Sequence, residues 1–373
     1  MSDLSKRKLR ICIFNWRDPL NPKSGGAERV TLEHALYWAK RGHQVTWISG
    51  SHQGSKEYEL REGIHFYCLG SSNTLFLRAA SIYWFKFHGE FDVVIDEVHG
   101  IPAFSPLWAW KSKKIAFIHE VAGEIWDQMF SFPVSTIGKL IESTLFPLVY
   151  RSTQFWVDSS STKIDLENLG IPVEHIQVIP CAIHPHALQR VPKEKVLTCV
   201  FLARLVKMKG IETALKVFQH IHSLEASAQL WIVGTGEPEY VTELHALVKK
   251  MSLEGQVTFY GQVSEEEKYS LLAKAHFLLH TSVKEGFGLT VLEAASQKTP
   301  ALVFDVPSLR DIVVDDQTGV VASCNDMTGL ASETVQLYKN QTKYKLMSEL
   351  AYEYGQKYKW SVFTQQSLEL LEK

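Results

Sequence analysis

Cysteine is scarce: five residues (Cys12, Cys68, Cys181, Cys199 and Cys324) are scattered over 373 positions. None forms a C-x-x-C pair, so no zinc or dithiol redox motif is offered, and a secreted disulfide framework would be denser. Cys12 and Cys199 lie in apolar strand-like runs, where inert buried thiols are expected. A reducing, cytoplasmic setting fits. An excess of one charge is also missing: Lys and Arg number 39 against 41 Asp and Glu, a net charge of −2. Counterion release therefore gives no drive toward nucleic acid, which is not an expected partner. Nor is there a run approaching the roughly 20 apolar residues that span a bilayer. The opening MSDLSKRKLR leads straight into ICIFNW, too short for a signal-peptide core. An integral membrane protein is not expected.

What the chain does have is alternation. Strand-like runs fall at 11–16, 44–49, 93–96, 114–118 and 154–157, then at 196–202, 229–233, 257–260, 277–280 and 301–304. Most are continuously apolar, as in sheets covered on both faces. Between them lie helical patterns such as Ile211, Ala214, Leu215, Phe218 and Ile221, on a 3.6-residue period. This βα order predicts two doubly wound parallel sheets, in Rossmann-like domains that face each other across a cleft. The proline-bearing IPCAIHPHALQRVPKEK reads as the linker. Residues 1–185 are expected to form the first domain and 186–355 the second. Residues 356–373 are expected to return as a helix onto the first. Ligands should gather at the carboxyl ends of the strands.

Several residues at those ends suit an anionic sugar ligand. Ser24-Gly25-Gly26-Ala27-Glu28 lies between a strand and a helix, where paired glycines let backbone N–H groups approach an anion. It reads equally as a tight turn in which Glu28 satisfies the helix dipole. Arg204 and Lys209 flank the next such junction and suit a diphosphate, Arg through its fork and Lys as a point charge; the alternative is a solvated basic turn. In Glu285-Gly-Phe-Gly-Leu-Thr-Val-Leu-Glu293, Glu285 would hang in a loop while Glu293 accepts bonds from ribose hydroxyls. The amides of Gly286, Phe287, Gly288, Leu289 and Thr290, at the head of the helix, can face phosphate. His119 ends a strand of the first domain, placed to bond a sugar hydroxyl or handle a proton near neutral pH. Asp96 and Glu97 end another, where they either orient an acceptor or close a turn.

Together these pieces resemble family 4 of the retaining glycosyltransferases over nearly the whole chain. The matching pieces are the SGGAE loop, His119, Arg204 with Lys209-Gly210, Val233-Gly-Thr-Gly236, Tyr260-Gly-Gln-Val263 and Glu285/Glu293. The resemblance implies a GT-B fold whose second domain holds a UDP- or GDP-linked sugar. Arg204 and Lys209 would then lie on the diphosphate, Glu293 on the ribose and Gln262–Val263 near the base. Glu285 would stand beside the transferred sugar, with His119 contacting it from the first domain and the Gly25–Gly26 loop closing in. No metal or cofactor is expected. Transfer to a glycan or lipid-linked acceptor would retain the anomeric configuration. The chain departs from the family pattern at Cys181–Ala182, where Asn-Gly is usual, and at Gln297–Lys298, where Cys-Gly is common.

Two stretches of the first domain, Leu75–Phe87 and Trp126–Tyr150, are rich in aromatics, with Arg78, Lys86, Lys111, Lys113, Lys114 and Lys139 nearby. They read either as an interfacial surface for a peripheral membrane contact or as core and dimer packing. Two rivals to transfer remain: a sugar-nucleotide epimerase of the same architecture, and a non-catalytic nucleotide-sugar-binding subunit.

Overall fold

Among the residues that the computed structural model describes, 7–184 and 186–373, fourteen strands form two sheets. The chain divides into two units, Met1–Cys181 with Trp360–Lys373, and Ala182–Lys359. In the first lie β1 (Arg10–Phe14), β2 (Gln44–Ser51), β3 (Tyr58–Arg61), β4 (Ile64–Ser71), β5 (Val93–Val98), β6 (Lys113–Ile118), β7 (Gln154–Val157) and β8 (Ile176–Val178). Their spatial order is 3-4-2-1-5-6-7-8, parallel except for the β3–β4 pair. Branched and aromatic side chains bury β1, β5, β6 and β7 on both faces, as a two-sided helical cover requires. The strand expected to reach Trp16 stops at Phe14. There the Asn15 side chain accepts from the Arg17 N–H at 3.0 Å and turns the chain.

The second unit holds β9 (Thr198–Leu202), β10 (Gln229–Val233), β11 (Val257–Gly261), β12 (Phe277–His280), β13 (Ala301–Phe304) and β14 (Gly319–Ala322), in the all-parallel order 11-10-9-12-13-14. The predicted helix over Ile211–Leu224 buries Ile211, Ala214, Leu215, Phe218 and Ile221, the residues its period selects.

The returning helix is Trp360–Glu372, shorter at its start than 356–373. Its Ser367 hydroxyl meets His34 Nδ1 at 2.8 Å and Trp38 Nε1 at 3.2 Å on the helix Gly26–Lys40, and Gln365 accepts from the Tyr37 hydroxyl at 2.6 Å. The first division falls at 181/182, not 185/186, because Ile179 still bonds β7 through Val157 O at 2.9 Å and Cys181 is buried. Residue 185 lies outside the described residues. From Gln189 onward the linker belongs to the second unit, tied by Gln297 at 2.9 Å.

Candidate functional site

In each sheet the strand order reverses once, and at such a point the loops leaving adjacent strands part and open a crevice for ligand. In the second unit that point lies between β9 and β12. The loop after β9 carries Arg204 and Lys209; the loop after β12 carries Glu285. They interlock: Thr281 Oγ1 donates to Gly210 O at 2.7 Å, and Val283 N to Met208 O at 3.0 Å. Gly210 has φ +70°, and a Cβ there would stand 1.9 Å from Thr281 O. Only glycine permits this approach just before the helix Ile211–Leu224.

Glu285 is the hub of this crevice. Its Oε1 accepts from Lys209 Nζ at 2.7 Å, Ser282 Oγ at 2.7 Å and His280 Nε2 at 3.0 Å. Burial alone would raise its pKa, but Lys209 and His280 outweigh that and hold the carboxyl well below the usual range. Thr290 Oγ1 meets the other ring nitrogen of His280 at 3.3 Å, carrying the network to the helix Leu289–Ala295. Lys209 therefore stands as half of an ion pair and not as the lone point charge expected from sequence. The Arg204 side chain is exposed and forms no hydrogen bond or ion pair with any described residue. It is held in place from its neighbours: Leu205 N donates to Thr235 O at 2.7 Å, and Gly234 approaches Ala203 O so closely that a Cβ would sit 1.9 Å away.

Glu293, expected at a ribose, accepts from Lys268 Nζ at 2.8 Å, and Lys268 also reaches both oxygens of Glu265. Lys268 lies on the helix Glu265–Lys274, which begins just after Gln262 (exposed) and Val263 (half-buried) at the end of β11. The base-side turn and Glu293 are thus joined by one lysine. Gly286 is half-buried, Gly288 adopts φ +95° before the helix, and Leu289 and Thr290 open it. The Phe287 ring is buried and meets Tyr358 at 5.7 Å, so its side chain packs, and only its amide is offered to phosphate.

The reversal in the first unit lies between β1 and β5. Here His119, just after β6, is clamped between two carboxylates: Nδ1 on Asp158 Oδ2 and Nε2 on Glu97 Oε1 at 3.2 Å. His99 meets the same Glu97 oxygen at 3.1 Å and stacks on Trp16 at 5.0 Å. Burial would lower the His119 pKa, but Asp158 and Glu97 overcome it and raise the ring to about 10. Burial would raise that of Glu97, but His119 and His99 bring it to about 2. At neutral pH the raised value favours the protonated ring. Glu97 Oε2 and Asp158 Oδ1 are buried without hydrogen-bond partners, leaving two unspent acceptors.

Asp96 is not an acceptor contact. It is fully buried and closes a turn, accepting from the N–H groups of Ala103 and Ser105 at 3.0 Å each and from the Tyr150 hydroxyl. In the glycine loop the bland alternative holds for Glu28, whose Oε2 accepts from Gly25 N at 2.7 Å. The Gly25 amide is thus spent before any anion arrives, while Gly26 opens the helix Gly26–Lys40. Asp18, His52 and Cys68 are the only described group of three side chains able to hold a metal, and Arg61 already supplies a positive charge to Asp18. Sequence reasoning missed Asp158, His99, His280 and Lys268. Asp158 directly follows β7 as His119 follows β6, and that parallel was the available signal.

The buried triad makes a prediction. Removing the imidazolium leaves two facing carboxylates uncompensated, so His119→Gln should cost about 3–5 kcal/mol in denaturant unfolding. The His119 pKa is raised from 6.5 to about 10, so its stabilisation is complete below 6.5 and lost as pH rises through 10. The Glu97 pKa is lowered from 4.5 to about 2, so its share is complete above 4.5 and lost as pH falls toward 2. Stability from this cluster should peak between pH 4.5 and 6.5. An unfolding profile equally pH-sensitive in His119→Gln would reject the clamp.

Comparison with known proteins gives the class. One family model, "Glycosyltransferase Family 4", matches residues 24–187, and a second, "Glycosyl transferases group 1", matches 187–354. The chain belongs to the group 1 glycosyltransferases, with two parallel-sheet α/β domains of the GT-B type. N-acetyl-alpha-D-glucosaminyl L-malate synthase of Bacillus anthracis is 32% identical over 160 residues, 43% of this chain and 40% of that relative's length. In fold, the chain superposes on sucrose-phosphate synthase from Thermosynechococcus elongatus with a TM-score of 0.80, at 18% identity over 97% of this chain and 98% of that one. It also superposes on Anabaena HepE in complex with UDP-glucose, with a TM-score of 0.75 at 16% identity over 97% and 99%. No described helix is long and apolar enough to cross a membrane.

Proposed function

We propose that this glycosyltransferase takes a hexose-type sugar from a UDP- or GDP-linked donor and transfers it, with retention, to a glycan or lipid-linked acceptor. The observation that carries the reading is the Lys209–Glu285 pair at the strand-order reversal of the second unit, next to an Arg204 side chain bonded to no described residue. An ammonium has three N–H donors, and one bond to Glu285 leaves two for the donor's diphosphate. Arg204 brings a fork that matches two phosphate oxygens, and the N-terminus of the helix Ile211–Leu224 adds partial positive charge. These groups stabilise the leaving diphosphate without a metal or other cofactor. Glu293 takes the ribose hydroxyls, Gln262–Val263 the base, and Gly286, Gly288, Leu289 and Thr290 the turn around the phosphates.

Glu285 stands beside the transferred sugar with three donors on its Oε1, and no nucleophilic role is assigned to it. The acceptor oxygen attacks the anomeric carbon on the face from which the diphosphate departs. The C–O bond to the diphosphate breaks with its electron pair on phosphate oxygen, and that oxygen takes the acceptor's proton. Of the first unit's residues, His119 is assigned to a sugar hydroxyl and the Gly25–Gly26 loop to the phosphates or acceptor. That HepE has been solved with UDP-glucose supports a uridine donor.

The test is a thermal-shift screen against UDP- and GDP-sugars, followed by product analysis with the preferred one. A native-state ligand at 100-fold its Kd should add about 2.7 kcal/mol of stability. Glu293→Ala should lose most of that response, and turnover should survive EDTA and give a product of the donor's own anomeric configuration. An epimerised sugar nucleotide, or binding with no transfer to any acceptor, would replace this reading with one of its rivals.

A further inference from the structure

The helix that follows β6 in the first unit has an unusual outer face. Val134–Leu140, Ile141–Leu145 and Phe146–Tyr150 form one continuous helical run, roughly 25 Å long. Its inner face is fully committed. Gly138 packs against the Trp126 ring so closely that a Cβ would meet it at 2.4 Å, and Phe146 and Tyr150 enter the core. Its outer face carries Val134, Ile137, Leu140, Leu145 and Leu148, all exposed, with Phe132 just ahead of it 82% exposed and Leu148 75%. The middle turn is π-helical, with one extra residue. That insertion brings Leu145 under Leu140, five positions on, so the stripe runs unbroken instead of rotating into the core. The Phe146–Tyr150 end packs against Ser105–Leu107. Shortly beyond that segment, Trp110 stands 64% exposed beside Trp84.

The segments around this face carry more positive than negative charge. Residues 75–90, 105–115 and 124–151 hold seven Lys and Arg against four Asp and Glu, in a chain with 39 against 41. Glu90 pairs with Arg10 at 3.2 Å, Asp127 takes up Lys139 and Glu57 takes up Lys86, which leaves Arg78, Lys111, Lys114 and Arg151 with no carboxylate partner among the described residues. Glu142, the one acid on the helix, turns inward and accepts from the N–H groups of Ala122 and Gly123 at 2.7 Å each. An aliphatic and aromatic stripe fringed by Lys and Arg matches the acyl–headgroup boundary of a bilayer that carries negative lipid. A second copy of the chain would present the same positive fringe and be repelled.

We infer that the outer face of the 134–150 helix, with Phe132, docks peripherally on an anionic membrane surface. This stands independently of the donor reading. The experiment is co-sedimentation of the full chain with phosphatidylcholine vesicles, and with vesicles that also contain phosphatidylglycerol. The wild type should pellet with the mixed vesicles, and added salt should weaken this. Ile137→Ser/Leu148→Ser and Phe132→Ser should each lower the partition about tenfold, with unfolding temperature and donor-induced shift unchanged, because these side chains are exposed. Failure to pellet with either vesicle, or equal pelleting of the variants, overturns the inference. So does a wild-type dimer, seen by light scattering, that the same variants dissociate: a second copy would then cover the face.

Discussion

Arg204→Ala should abolish the thermal protection that a nucleoside diphosphate sugar gives the wild type, and should lower turnover at a fixed donor concentration by about 150-fold or more. The size follows from charge-assisted hydrogen bonds worth about 1.5–3 kcal/mol each, of which a guanidinium makes two to a phosphate group. The fold should hardly notice, because the side chain is exposed and bonded to no described residue; its loss lies within about 0.5 kcal/mol. Arg204→Lys should recover only part of the response, since an ammonium has no planar fork. The comparison separates a phosphate contact from a general need for positive charge. If Arg204→Ala still answers the donor as the wild type does, the diphosphate lies elsewhere.

Lys209→Met is expected to act on both stability and activity. Glu285 would stay buried with only His280 and Ser282 as donors, and stranding a buried carboxylate costs about 3 kcal/mol or more. The two side chains are only 19% and 11% exposed, so solvent screens little of this. The pH dependence identifies the cause. The Glu285 carboxyl is held below its ordinary 4.5, so its stabilisation is present above 4.5 and lost as pH falls toward the folded value. The wild type should therefore lose stability in acid below about pH 4.5, and that limb should flatten in Lys209→Met. Glu285→Gln keeps the shape without the charge; it should retain donor binding while turnover falls by about 100-fold or more. Wild-type acid unfolding in Lys209→Met, with full turnover in Glu285→Gln, would remove the pair from the mechanism.

Much of the architecture was legible because it is written in periods. Continuous apolar runs such as Val93–Asp96 and Phe277–His280 can only be two-sided strands once helical patterns separate them. The hairpin of β3 and β4 was missed for a physical reason. Its two-residue turn, Glu62-Gly63, has φ of +49° and +82°. That is the geometry of a tight hairpin loop, but Glu-Gly is not the Asn-Gly or Asp-Gly pair that announces it. The edge strand β8, with three residues, is too short to show a period at all.

Within the site, the sequence supplied the positions but not the pairings. That Glu285 and Arg204 leave adjacent parallel strands follows from topology. That Lys209 is already spent on Glu285, or that Lys268 reaches Glu293 from 25 positions away, follows from loop conformations that no local pattern encodes. The same limit explains His119. Its place after β6 was legible, while its state depends on Asp158, 39 residues on, which raises the ring's pKa.

The helix Trp360–Glu372 lies at the far end of the chain from the helix Gly26–Lys40 that it covers, with the entire second unit translated in between. Synthesis is vectorial, so the earlier-made sheet must wait for that last helix while the later-made unit, contiguous in the chain, can close at once. Until then Trp38 packs against His34 and Trp156 but lacks the Ser367 hydroxyl that its indole N–H meets in the finished fold. The order of completion is thus the reverse of the order of translation, and the nascent chain carries a sticky, half-finished domain through roughly half of its elongation.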